Sequence, residues 1–201
     1  LFNNYKIKEI ITYLHKLDAD VICLQEVFDK EQFEYIKKHL KYDYSFFIGE
    51  LCILSKYTFD NVQTNYFDTL GIYDNNNCII SSININDTKL HIINVHLLND
   101  ITFYKQHREI KEIMNYVNWK IDRFKDKIII IGDFNYCKHF TEIYSNQFSK
   151  LIPQKNNRSY PSIYPLLNLD KVYYRNLKLT KVEFQDIYYS DHKPLYTEFT
   201  L

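Results

Sequence analysis

Apolar residues recur along this chain with two periods, and each change of period marks a new element. In residues 5–17, Ile7, Ile10, Ile11, Leu14 and Leu17 share one face of a 3.6-residue repeat. That spacing predicts a helix, with Asn3 or Asn4 as its cap. Past Asp18-Ala19-Asp20, residues 21–24 form a short unbroken apolar run, the signature of a strand buried on both faces. A second helix is expected over 31–40, with Phe33, Ile36 and Leu40 inward. The chain then turns strand-rich. Residues 44–48, 51–55, 78–85 and 90–95 read as strands, and Asn86-Asp87 supplies a hairpin turn between the last two.

Residues 101–124 predict a long helix, carried by Ile110, Ile113, Met114, Val117 and Ile121. The aliphatic run 127–131 is a strand that stops at Gly132. A short helix is expected over 140–148, and strands over 169–174, 178–184 and 195–201. Residues 75–77 and 154–159 read as exposed loops. No linker or repeat divides the chain, so 1–201 is expected to be one domain. Hairpins exclude a purely parallel sheet, which leaves an α/β (α+β) fold: two packed mixed sheets with helices outside.

Composition narrows the function classes. At 46% hydrophobic and 25% charged residues the chain is globular, not disordered. No apolar run reaches 18 residues, so no transmembrane segment is expected. The 25 basic and 25 acidic side chains cancel, which argues against duplex binding by whole-surface charge and leaves room for a local basic patch. Cys23, Cys52, Cys78 and Cys137 include no CxxC pair, which argues against zinc; Cys23 and Cys52 read as small core residues. Aromatics reach 17%, and alanine occurs only at Ala19. Together with heavy use of Asn, Ile, Lys and Tyr, this reads as codon bias. The chain begins at Leu1 and its only methionine is Met114, so an incomplete N-terminus is expected, along with an intracellular location.

The informative polar residues sit directly after apolar strands, where α/β sheets gather ligands. They are Gln25-Glu26, Asn94-Val95-His96, Gly132-Asp133-Phe134-Asn135, Leu169-Asp170 and Ser190-Asp191-His192. Taken singly, each has an ordinary structural reading. Glu26 reads as an exposed loop carboxylate, His96 as a hydrogen-bonded strand end, and Asp133 with Asn135 as an Asx turn. Ser190-Asp191-His192 reads as a cap or turn. Asp170 is the exception, because a carboxylate inside an apolar strand pattern is costly without a partner. Taken together, four carboxylates, two imidazoles and an Asn make a hard-ligand inventory suited to Mg²⁺ or Mn²⁺.

This ordered set resembles the endonuclease/exonuclease/phosphatase superfamily of metal-dependent phosphodiesterases, which includes pancreatic-type deoxyribonuclease, apurinic endonuclease, neutral sphingomyelinases and inositol polyphosphate 5-phosphatases. The matching segments are DADVICLQE ending at Glu26, ILSK ending at Lys56, NVHL ending at Leu97, IGDFN ending at Asn135, LDKVY ending at Tyr173, and SDH ending at His192. The resemblance implies a four-layered α/β sandwich with its site at the top of the two sheets. It implies Glu26 as the main metal carboxylate and Asp191 as a residue completing the metal site. Asp133 would activate or orient the attacking water, and Asn135 would hold the nucleophile and a phosphate oxygen. His192 would contact the scissile phosphate with Asp170 fixing its tautomer, and His96 would be a second phosphate-facing imidazole. The implied cofactor is Mg²⁺, with Mn²⁺ as an alternative, and the implied chemistry is in-line attack of water on a phosphate ester.

The sequence departs from the family in two places. The family's first strand, which carries a metal-binding Asn, has no counterpart before the helix at Tyr5. The segment before Ile53-Leu54-Ser55 lacks the Gly-Asn-Ala of many relatives. Glu50 there reads either as an exposed loop carboxylate or as a partner for His96. The segment 159–170 resembles a pattern in bacterial members and in 5′-tyrosyl-DNA phosphodiesterases. The expected substrate is therefore a phosphate ester of nucleic acid. Arg158, Lys155, Lys138 and Lys193 would form a basic rim, with Tyr160 or Tyr164 stacking on a base; an ordinary Pro-rich surface loop is the competing reading. Phospholipid or inositol-phosphate hydrolysis, and a catalytically inactive binding module, remain as alternatives. A monomer is expected.

Overall fold

The computed structural model describes residues 6–66, 77–122, 124–137, 149–150 and 158–201. Helix α1 (Ile7–Leu17) begins after Lys6, which holds the N-cap position without a side-chain cap; Asn3 and Asn4 lie outside the described residues. Strand β1 (Val21–Leu24) follows. Helix α2 (Lys30–Leu40) is capped by Asp29, whose carboxylate accepts from the Gln32 N–H. Both helices end on a residue in the left-handed region, Asp18 and Lys41.

Strands β2 (Tyr44–Ile48), β3 (Leu51–Ser55), β4 (Phe59–Tyr66), β5 (Asn77–Ile85) and β6 (Thr88–His96) come next. The β5–β6 turn is the expected one: Asn86 and Asp87 have φ of 48° and 62°, as a tight hairpin demands. Helix α3 (Tyr104–Lys120) is shorter at both ends than its periodicity suggests. Ile101 and Phe124 continue the repeat but are 91% and 86% exposed, so no burial holds them in the helix. Asp100 draws the preceding turn together through Thr102 and Lys105. Strand β7 (Lys127–Asp133) runs two residues past the aliphatic stretch. The helix expected over 140–148 lies outside the described residues. Strands β8 (Ser149–Lys150), β9 (Asp170–Arg175), β10 (Lys178–Phe184) and β11 (Leu195–Thr200) complete the chain.

The larger sheet has the order β4-β5-β6-β7-β9-β8, with β6 and β7 parallel and the other pairs antiparallel. The remaining strands form two short sheets, β1-β3-β2 and β10-β11. Three apolar clusters hold these parts. Helices α1 and α2 pack on β1 and β3 through Ile11, Leu14, Phe33 and Leu54. Helix α3 covers the large sheet through Ile110, Met114 and Val117. Between the sheets, Ile53, Ile79, Ile92 and Val172 meet Val21, Leu195 and Phe199. No disulfide joins Cys23, Cys52, Cys78 or Cys137. No helix among the described residues is long and apolar enough to cross a membrane.

Among the described residues β1 is paired on its β3 side only, and β11 on its β10 side only. A cleft of about 660 Å³ runs between them, lined by Cys23 and Leu24 on one wall and Thr197 and Phe199 on the other. It reaches Glu26, Asp133, Asp170 and His192 at one end.

Gly132 is where the large sheet is tightest. Its φ is 141°, and a Cβ there would lie 2.0 Å from the Val95 carbonyl oxygen on the neighbouring parallel strand. G132A should therefore cost about 3 kcal/mol or more, from left-handed strain plus backbone overlap. Urea unfolding measures it, and an unchanged midpoint would contradict this account of the β6–β7 register.

Candidate functional site

Strand register decides which polar residues meet. On the parallel β6–β7 pair His96 lies opposite Asp133, and on the antiparallel β7–β9 pair Asp133 lies opposite Asp170. Three strands thus deliver His96, Asp133 and Asp170 to the same end of the sheet. The turn before β11 adds His192, whose Nδ1 donates to Asp170 Oδ2 at 2.7 Å. His192 Nε2 and His96 Nε2 lie 3.8 and 3.9 Å from Asp133 Oδ2. Those spacings exceed a hydrogen bond, so Asp133 Oδ2 faces both rings without bonding either. Its other oxygen accepts from the Asn135 N–H at 2.8 Å. His96 Nδ1 faces Glu50 Oε2 at 3.5 Å, which realises the second reading of Glu50.

The turn after β7 is held as firmly. Asn135 has φ of 45° and donates its side-chain amide to the Leu97 carbonyl at 2.8 Å. The Leu97 N–H donates to the Asp133 carbonyl at 2.9 Å, and the Phe134 N–H to the Leu169 carbonyl at 3.0 Å. On the Asp170 side, Ser159 is fully buried and its hydroxyl accepts from the N–H groups of Leu169 and Asp170.

Ligand atoms of Asp133, Asp170 and His192 lie within 4.8 Å of one another. Glu26 and Asp191 are not members of that cluster. Glu26 follows β1 with φ of 58° and lines the same cleft. Asp191 is exposed; its carbonyl accepts from the Ser162 N–H at 2.6 Å. Of the expected basic rim, Lys138 and Lys155 lie outside the described residues. Arg158 is exposed, whereas Lys193 is engaged by Asp186. Tyr160 packs on His192 with ring centroids 4.9 Å apart, and Tyr164 stands 78% exposed beside it.

Asn94 carries more than its place in a triplet suggested. It is wholly buried and donates to the Leu24 and Cys52 carbonyls at 3.1 and 3.0 Å, while Gln25 donates to its oxygen at 2.6 Å. It therefore ties the end of β6 to β1 and β3 and sets Glu26 against the large sheet. A polar amide inside Ile92-Ile93-Asn94-Val95 was the available signal.

The charges shift one another. Burial and the facing Asp170 raise the Asp133 carboxyl well above its usual range, against the pull of His192 and His96. Burial opposes a charge on His192, but the hydrogen bond to Asp170 and the charges of Asp170, Asp133 and Asp191 outweigh it and lift the imidazole to about 9. His96 is likewise raised: burial works against it, and Glu50, Asp133 and Glu26 prevail. The facing His96 imidazole holds Glu50 below the ordinary carboxylate range, against the effect of burial. At neutral pH the site thus sets the His192 imidazolium beside buried carboxylates, a pattern suited to binding a cation and a phosphoryl group together.

The fold and this constellation define a metal-dependent phosphoric ester hydrolase. The model of the Endonuclease/Exonuclease/phosphatase family matches residues 1–192, and the chain belongs to that family. No curated protein matches the chain significantly. Among solved structures, TDP2 of D. rerio complexed with single strand DNA product superposes with a TM-score of 0.82 at 16% identity, covering 98% of this chain and 92% of that one. A family protein from Leptotrichia buccalis C-1013-b gives 0.75 at 16% identity, covering 98% and 93%. Beta toxin of Staphylococcus aureus gives 0.74 at 16% identity, covering 97% and 93%.

In the metal-free protein the His192 imidazole should titrate near pH 9 by NMR, against 6.5 for an ordinary histidine. Because the folded value is the higher one, the stabilisation is complete below about pH 6.5 and is lost as pH rises through about 9. D170N should lower the His192 midpoint and flatten that loss. A wild-type midpoint near 6.5 contradicts the pairing.

Proposed function

We propose that this chain is a Mg²⁺-dependent phosphodiesterase acting on single-stranded nucleic acid or its ends, by in-line attack of water. The observation that carries the reading is the meeting of His96, Asp133, Asp170 and His192 at one strand end, with Tyr160 packed at a tilt against His192. The lining at that strand end fits a hard divalent ion: Glu26, Asp133 and Asp170 offer carboxylate oxygens, and one buried Asp133 oxygen is left unbonded between two rings. Glu26, with Asp191 directly or through water, would hold the ion. Bound there, Mg²⁺ supplies charge stabilisation to the phosphoryl oxygens.

The chain's own residues do the rest. Asp133 orients the attacking water and takes up its proton, for which its raised pKa suits it. Asn135 steadies the nucleophile and a phosphate oxygen. His192, kept protonated by Asp170, donates to a non-bridging phosphoryl oxygen, and His96 with Glu50 does so from the other side. The D. rerio TDP2 complex with single strand DNA product supports nucleic acid as the substrate. So does the loop beside the site, where Tyr164 and Ile163 are 78% and 67% exposed and offer a stacking surface. That surface also suits a lipid, so sphingomyelin and inositol phosphates belong in the comparison.

Hydrolysis of single-stranded DNA by the protein should require Mg²⁺ or Mn²⁺ and stop with EDTA. D133N and H192A should each lower kcat by about 100-fold or more with the fold retained by circular dichroism. Faster turnover of sphingomyelin or inositol phosphates would replace the substrate assignment, and no turnover of any phosphate ester would leave the binding-module alternative.

A further inference from the structure

Lys171 is a charged residue inside the protein that none of the roles above employs. It is 4% exposed and sits on β9 between Asp170 and Val172, opposite Gly132. Strand alternation sends its side chain to the face away from Asp170, towards Phe134. There the ammonium donates to the carbonyls of Tyr136, of Asn168 at 2.8 Å and of Leu169 at 3.4 Å. It also lies 5.7 Å from the centroid of the buried Phe134 ring. An ammonium has three protons to give, and three carbonyls take them. Burying such a group is costly and pulls its pKa down to about 8, so packing alone would favour an apolar residue of similar length.

The three carbonyls explain the choice. Asn168 and Leu169 belong to the turn that delivers Asp170, and Tyr136 belongs to the turn that delivers Asp133 and Asn135. Asn135 stands one residue from Tyr136, and its own carbonyl accepts from the fully buried Gln106 of α3 at 3.2 Å. Buried donors from two elements, β9 and α3, therefore grip consecutive carbonyls on the turn that bends through Asn135 at positive φ.

We infer that Lys171 is a positioning residue, an internal strut that holds the Asn135 turn against the Asp170 turn so that Asp133, Asn135 and Asp170 keep one mutual geometry. Its substitution should act on turnover, not on substrate capture, because a displacement of about 1 Å in such groups costs up to about 100-fold in rate. Removal of the ammonium leaves three inward carbonyls without their donor and frees both turns to relax.

The test compares wild type, K171M and K171R on single-stranded DNA with Mg²⁺, with assigned ¹⁵N spectra of the same proteins. In K171M, kcat should fall 10- to 100-fold with KM within about threefold, and K171R, which keeps its donors, should recover most of the loss. The amide resonances of Asn135 and Asp170 should move in K171M and return towards wild type in K171R. A folded K171M with kcat within threefold of wild type, a loss confined to KM, or a K171R as impaired as K171M would overturn the inference. Should K171M fail to fold, a protected Lys171 ammonium signal in the wild type and a near-normal K171R sustain it, and the lack of either overturns it. The kcat comparison rests on the hydrolase reading above. A wild type inactive on every ester would sink that reading alone, and the Asn135 and Asp170 resonances would still decide the role of Lys171.

Discussion

Two carboxylates, Asp133 and Asp170, are placed opposite each other on adjacent strands and taken largely out of water. Like charges so arranged repel, and the surroundings of the site read as the means of tolerating them. Asp170 has His192 as a hydrogen-bonded partner. Asp133 has one oxygen on the Asn135 N–H and the other between two imidazoles. The Lys171 ammonium lies behind both on the far face of β9. The compensation is incomplete by design of the ladder: Asp133 keeps a raised pKa and an oxygen without a hydrogen bond. A buried oxygen so placed is suited to taking up a proton and, in the proposed function, to facing a cation.

The same constraint sets the demands on the scaffold. Asp133 can face His96 only if β6 and β7 stay in register, and Gly132 permits that by bringing its backbone against Val95 where any side chain would collide. Glu26 can approach only if β1 is docked on the large sheet. The buried Asn94 makes that joint through backbone carbonyls of two strands, so it reads position and not side-chain identity. Polar residues in this interior thus act as rigid spacers between elements, each with its partners supplied.

Legibility in the sequence followed the reach of each interaction. Strands β1, β3 and β7 announced themselves as short, nearly unbroken apolar runs, and β3 is buried along its whole length. Strand β4 passed unnoticed: Phe59-Asp60-Asn61-Val62-Gln63-Thr64 is mostly polar, as an edge strand with one wet face must be. Helix α3 was overrun because Ile101 and Phe124 keep the period, while its true ends depend on turns formed by Asp100 and Asp122. The site triplets stood out as polar residues terminating apolar strands, whereas the roles attached to them came from family resemblance. Gln106 and Lys171 stayed silent because their partners are distant backbone carbonyls, which no local pattern encodes.

The central claim is that acidic and imidazole groups from separate strands surround one divalent cation. Paramagnetic broadening by substoichiometric Mn²⁺ tests it most directly. The account predicts that resonances of Glu26, Asp133, Asp170 and His192 broaden first and recover with EDTA, while His91 and Asp126 at the opposite end of the sheet are spared. Broadening centred elsewhere, or spread evenly over the surface carboxylates, would contradict it.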